Sequence, residues 1–221
     1  SAEKNIVINN SITGANGILS LTAGTYYAGT VTQNAPITVS GLELLGVAGA
    51  GANFTLNHTS NNISTIAGNV RSMDLYSAGS LSVGSVGNTD GLTTSGNLIL
   101  HSGADLTVDS DISLNPSASS DVVLRANENI VINGGNTIST SNASIHVTLN
   151  SDRDGSGSGA VVMSSLSGIT TGGGNIILGG GTDPSTTPAV GNATYLDGIY
   201  LYGVTINSGD GSITMTGRGV D

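Results

Sequence analysis

Short apolar runs return down this chain at a nearly constant interval. Runs rich in β-branched residues and leucine lie at residues 6–9 (IVIN), 29–32 (GTVT), 53–56 (NFTL), 72–76 (SMDLY), 97–100 (NLIL), 121–124 (DVVL) and 143–149 (ASIHVTL). With Val7, Val31, Phe54, Leu75, Leu98, Val122 and Ile145 as markers, the steps are 24, 23, 21, 23, 24 and 23 residues. A period of 20 to 50 residues is the signature of a solenoid, in which each repeat packs only against its neighbours. Hairpin meanders also use short strands, but they do not require a fixed interval.

Each interval holds two or three further runs, such as LTV at 106–108 and ISL at 112–114, separated by Gly, Asn, Asp or Ser. Those residue types tolerate positive φ or hydrogen-bond their own backbone, and so turn corners. Alternation within the runs sends Leu, Ile and Val inward and Ser, Thr and Asn outward. The expected fold is therefore all-β: a parallel β-helix, right-handed by the usual crossover rule, of about nine coils of roughly 23 residues. The spacing loosens after Ile145, and the next markers are Ile176 and Ile213. Residues 179–198 contain Pro184 and Pro188, which suit a central strand poorly, so they are expected to project as a loop. No domain boundary interrupts residues 1–221, and a chain opening directly at Ser1 reads as one solenoid segment of a longer repetitive protein.

Composition supports this reading. Gly, Ser, Thr and Asn fill 111 of 221 positions, which disfavours long helices, while 37% hydrophobic content argues against disorder. The net charge of −10 gives no electrostatic reason to bind nucleic acid or an anionic membrane. No stretch is long and apolar enough for a membrane-spanning helix. With no cysteine, thiolate chemistry and disulfides are excluded.

Candidate chemistry is sparse. Asp105, Asp109 and Asp111 fall in one coil, and Asp109 and Asp111 would share a face if one strand ran through both, as paired carboxylates in a glycosidase or polysaccharide lyase would. The five basic residues are scattered over different coils, so corner positions explain these acids better. Asn150, Asp152 and Asp154, within NSDRDG, alternate oxygen donors with a flexible glycine and are the candidate calcium ligands, calcium being the only cofactor suggested. The glycine runs at 172–174 and 179–181 lack the GK[ST] of a phosphate loop. His58, His101 and His146 sit on different coils without a metal-site spacing. Tyr200 and Tyr202 share a strand face by alternation, with Tyr195 just before them, and together they are the candidate stacking surface for a glycan or a partner protein. Tyr26 and Tyr27 would point to opposite faces of an extended segment, leaving at least one exposed.

Residues 62–86 (NISTIAGNVRSMDLYSAGSLSVGSV), 147–161 (VTLNSDRDGSGSGAV) and 204–219 (VTINSGDGSITMTGRG) resemble the repetitive stalks of very large bacterial surface proteins of the filamentous haemagglutinin type. The resemblance implies a secreted, right-handed parallel β-helix at the bacterial cell surface that serves as a structural stalk or adhesive segment and is not an enzyme. It implies as partners the neighbouring coils or domains of the same polypeptide, together with cell-surface glycans or proteins. Asn115-Pro116 stands alone, so the segment reads as stalk rather than as the family's secretion-recognition end. The alternative on the same scaffold is a carbohydrate-binding or polysaccharide-cleaving β-helix.

Overall fold

The computed structural model describes residues 5–24, 28–46 and 51–220. Among them, nine parallel strands form one continuous sheet: Asn5–Ile8, Gly29–Gln33, Ala52–Leu56, Ser72–Ser77, Leu98–Ser102, Ser120–Ala126, Ile145–Ser151, Ile176–Gly180 and Ile213–Met215. Each strand pairs with its counterpart one coil away, so the chain winds as a β-solenoid of nine coils. One inward column reads Ile6, Val31, Phe54, Met73, Leu98, Val122, Val147, Ile176 and Ile213. A second, two residues on, reads Leu56, Leu75, Leu100, Leu124, Leu149, Leu178 and Met215.

These columns correct the marker spacing. Val31, Phe54, Leu98, Val122, Ile176 and Ile213 do share one column, but Leu75 belongs to the second, Ile145 lies one alternation early, and Val7 points outward with 55% exposure. The true steps are 25, 23, 19, 25, 24, 25, 29 and 37 residues. Coil length varies because corners absorb insertions, whereas each strand must keep its register to bury the same face.

The remaining sides change character along the shaft. In the first three coils a single long strand (Ile12–Ala23, Ile37–Gly46 or Asn62–Val70) supplies them, each paired with the next. Asn62–Val70 then pairs with two separate strands, through Thr65 and Ile66 to Leu81–Val83 and through Gly68 to Val70 to Leu92–Thr94. Beyond it two lanes run to the far end. One contains Leu106–Val108, Ile130–Ile132, Val161–Met163 and Ile199–Leu201; the other contains Ile112–Leu114, Thr137–Thr140, Gly168–Thr170 and Thr205–Asn207. Inward residues of all these strands meet in one aliphatic core, with Phe54 the largest fully buried side chain among the described residues.

Corners close with hydroxyls. Thr94, Thr140, Thr171 and Ser208 occupy one column and donate to the carbonyls of Gly96, Ala143, Gly174 and Gly211 at 2.9, 2.7, 2.6 and 2.6 Å. On another corner Ser77, Ser102 and Ser151 donate to Ile63, Asp105 and Gly159 carbonyls at 2.9, 2.7 and 2.7 Å. Each hydroxyl thereby gives a backbone carbonyl at a corner, or in the case of Ser77 that of the strand residue Ile63, a hydrogen-bond donor. The glycine run at 172–174 belongs to such a corner.

Two departures decorate the coil. An antiparallel hairpin, Ser85–Val86 with Thr89–Asp90, turns at Gly87-Asn88 and lies over the second coil. Val86 is 3% exposed, and any side chain at Gly41 would strike it. The extra length expected at 179–198 is present, but not as one free projection. Residues 181–188 fold back against Gly179 and Gly180, and residues 191–198 form a second excursion. Between them Ala189–Val190 is a buried strand paired with Gly217–Arg218 and bridged to Gly159. Burying Ala189 and Val190, at 0% and 4% exposure, pins both excursions to the shaft.

Candidate functional site

The eighth coil carries the most distinctive surface. In Ile199–Leu201 and the residue after it, strand alternation turns Ile199 and Leu201 toward the core and leaves Tyr200 and Tyr202 outside, 45% and 63% exposed. Their rings are stacked, with centroids 6.5 Å apart and planes within 10°. Tyr200 also forms one wall of a depression of about 260 Å³ whose other walls are Thr194, Tyr195, Leu196 and Asp197. Leu196 is 64% exposed. Asp197 also lines a neighbouring depression of about 350 Å³ with Ile199 and Met215. The structure therefore brings together the three tyrosines singled out from sequence. Tyr26 and Tyr27 lie outside the described residues.

The excursion that presents this surface is held from within. Asn192 Oδ1 accepts the N–H groups of Thr194 and Tyr195 at 2.9 and 3.0 Å, and its Nδ2 donates to Asn129 Oδ1 at 2.8 Å. Val220 N–H donates to the Leu196 carbonyl at 2.9 Å. A tight Asx turn anchored to a buried asparagine two coils away fixes the loop that carries Tyr195. Sequence reasoning missed Asn129 and Asn192, because nothing in a single sequence marks residues 63 apart as partners.

The candidate calcium residues are arranged differently. Asp152, 3% exposed and at φ +46°, turns its Oδ1 to Ser156 Oγ and to the N–H groups of Gly157 and Ser158 at 3.1, 2.9 and 3.2 Å. Asp154 Oδ1 accepts the Ser156 N–H at 3.1 Å. Both carboxylates thus close the 152–158 loop on itself. Asn150 lies opposite Gly179 on the neighbouring coil, 3% exposed, with its Oδ1 buried and without a hydrogen-bond partner. Among the described residues no group of three or more His, Asp or Glu side chains is arranged to hold a metal ion.

The acids of the fifth coil do not form a pair on one strand. Val108 ends one strand and Ile112 begins the next, so Asp109 and Asp111 flank a corner at Ser110. Each acid binds the following coil. Asp105 holds Asn129, Asp109 holds Asn133 while accepting Ser82 Oγ at 2.6 Å, and Asp111 accepts Thr137 N–H and Oγ at 2.7 and 3.0 Å. These carboxylates splice coils together.

The histidines serve the same structure. His146 Nδ1 accepts the Asn175 N–H at 3.0 Å, and His58 Nδ1 accepts the Ser60 N–H at 3.1 Å. His101 packs edge-on to Tyr76 at 4.8 Å and meets Asn127 Oδ1 at 3.3 Å. Burial lowers its pKa, outweighing the Asn127 hydrogen bond, and Arg153 and Arg125 push the same way as burial. Glu43 is, like Asp152, an enclosed acid: it is 9% exposed beneath the hairpin, and its Oε1 accepts Thr89 Oγ at 2.8 Å and Asn88 N–H at 3.3 Å. Hydroxyl donation from Ser20 and then Thr89 holds its carboxyl below the usual glutamate range.

Comparison of the chain with protein-family models, with characterised proteins and with solved structures returns no match.

Proposed function

We propose that this chain is a length of non-catalytic shaft from a secreted bacterial surface protein, spacing or displaying other parts of that protein and contributing to attachment. The observation that carries the proposal is where the side chains spend their hydrogen bonds. Along the leading edge of the nine-stranded sheet, Asn5, Thr30, Asn53, Ser72, Asn97, Asp121, His146, Asn175 and Ser212 succeed one another coil by coil. Thr30 Oγ donates to Asn5 Oδ1 at 2.9 Å, Ser72 Oγ to Asn53 Oδ1 at 2.7 Å, Asp121 N–H to Asn97 Oδ1 at 3.0 Å and Ser212 N–H to Asn175 Oδ1 at 2.9 Å. Polar groups that an enzyme would leave facing a substrate are used here to bond one coil to the next. That is the economy of a repeat shaft, whose stability comes from neighbour interfaces.

The resemblance of residues 62–86, 147–161 and 204–219 to surface-protein stalks supports the same reading, and so does a polar exterior rich in Ser, Thr and Asn. A carbohydrate-binding role on this scaffold is favoured by one specific observation, the exposed tyrosine pair of the eighth coil. Two measurements test the shaft proposal. Antibody raised against the chain should label intact producing cells, and the purified chain should show no turnover on a panel of polysaccharides and polyuronates with and without calcium. Labelling only after lysis, or turnover of any polysaccharide, would overturn it.

A further inference from the structure

We propose that the tyrosine face of the eighth coil is a binding site for a neutral glycan chain. Three of the six tyrosines in the sequence fall within eight residues, in a chain that is only 3% aromatic. Covering the shaft accounts for part of this concentration: Tyr200 pairs in register with Val162, an outward residue that is only 5% exposed. It does not account for Tyr202, which is 63% exposed, or for Leu196 at 64%. Large apolar side chains left together in water mark contact surfaces more often than lone exposed residues do.

The geometry suits pyranose rings. The apolar C–H face of a sugar lies flat on an aromatic ring, while its rim of hydroxyls needs hydrogen-bond partners. Tyr200 and Tyr202 stand parallel at 6.5 Å, and the depression beside Tyr200 is walled by Tyr195, Leu196 and Asp197. One ring can rest on this wall with its hydroxyls toward Asp197, and the chain can continue across Tyr202. The loop is held in place by Asn192, so little ordering is required on binding.

Charge selects the class. The chain carries −10 overall, and Asp197 borders both depressions, so a polyuronate or sulfated glycan is repelled. Arg218, whose backbone lies beside Gly198, is the single cation of this neighbourhood in the sequence from 190 to 220. Neutral chains meet no such penalty. This inference does not depend on the shaft proposal, because a shaft without a glycan site and a glycan site on some other kind of solenoid are both physically coherent.

The test is calorimetric titration of the purified chain with neutral hexasaccharides (glucan, mannan, galactan and N-acetylglucosamine chains) and, in parallel, with oligogalacturonate. At least one neutral chain should bind saturably, with a Kd below about 1 mM, and oligogalacturonate should bind more weakly. Tyr202→Ala should weaken that binding about tenfold while leaving the melting temperature unchanged, the equivalent of one lost stacking contact. Tyr200→Phe, which keeps the ring over Val162, should preserve it. Three results would overturn the proposal: no saturable binding of any neutral chain up to about 10 mM, tighter binding of oligogalacturonate, or neutral-chain binding indifferent to Tyr202→Ala. A surface reserved for a protein partner would give the first of these.

Discussion

Asp105 Oδ1 accepts both the backbone N–H and the side-chain Nδ2–H of Asn129, one coil along, at 3.0 and 2.8 Å. Asn129 passes the connection on: its Oδ1 accepts Ala160 N–H at 2.9 Å and Asn192 Nδ2 at 2.8 Å. One corner is thus stitched through three successive coils and out to the loop that presents Tyr195. Asn129 is 7% exposed and Ala160 is fully buried, so truncation strands donors away from water. Asn129→Ala should lower stability by about 1–3 kcal/mol in denaturant titrations. It should also speed amide exchange at Thr194 and Tyr195, whereas Asn133→Ala, at an exposed corner, should leave those amides protected.

The leucine column predicts a contrast between faces. Leu100 is fully buried between Leu75 and Leu124, and Leu100→Ala should cost about 2–5 kcal/mol through lost transfer energy and the cavity left behind. Thr93, outward on a neighbouring lane, can become Ser within about 0.5 kcal/mol. Because coils are stabilised by neighbours, exchange protection in Leu100→Ala should fall first in the coils carrying Leu75 and Leu124.

Much of this was readable from sequence. Strand alternation placed Tyr200 and Tyr202 together, and the interval of apolar runs revealed the winding. The markers erred where a strand has two inward positions: Leu75 and Met73 face the same way, and periodicity alone does not choose between them. The 19-residue step from Phe54 to Met73 was invisible because the corner there lies between Leu56 and Asn62 and between Val70 and Ser72, with little loop to mark it. Asp109 and Asp111 would share a face only on a continuous strand, and the corner position that the sequence favours for them is the one they occupy, with Ser110 turning the chain between them. The hairpin at 85–90 carries a local signal of its own, since Gly87-Asn88 between Val86 and Thr89 is a two-residue hairpin turn. Contacts such as Asn129 with Asn192 depend on an irregular loop returning to the shaft, and no local pattern encodes them.

Glu43 makes the hairpin sensitive to acid. A carboxyl whose folded pKa is depressed stabilises the fold above its ordinary value, about 4.3 for glutamate, and that contribution fades as pH falls through the lowered folded value. Amide exchange at Asn88 and Thr89 should therefore accelerate as pH falls below about 4.3, once corrected for intrinsic rates. Glu43→Gln should remove that dependence, and an unchanged pH profile in the variant would assign it to other groups.

Glycines with the same backbone sign should differ in cost. Gly91, at φ +66°, lies so close to the Asp111 carbonyl that a Cβ would strike it, and that carbonyl accepts Leu92 N–H at 2.9 Å. Gly135, at φ +86°, has nothing within 4 Å. Gly135→Ala should cost only the positive-φ strain, about 1–2 kcal/mol. Gly91→Ala should cost more, because it also displaces a bond between coils.

The winding itself is most directly tested by distances between spin labels on one outward column, where Thr32, Thr55, Thr148 and Thr214 stand on the second, third, seventh and ninth coils. The chain has no cysteine, so labels can be attached at introduced pairs alone. At about 4.8 Å per coil, Thr55 to Thr148 should span about 19 Å and Thr148 to Thr214 about 10 Å. The first pair is 93 residues apart and the second 66, so the predicted distances follow the number of coils crossed rather than the length of chain between the labels. Distances that fail to grow in proportion to coil number, or a Thr148–Thr214 separation as long as that of Thr55–Thr148, would contradict the stacked-coil account.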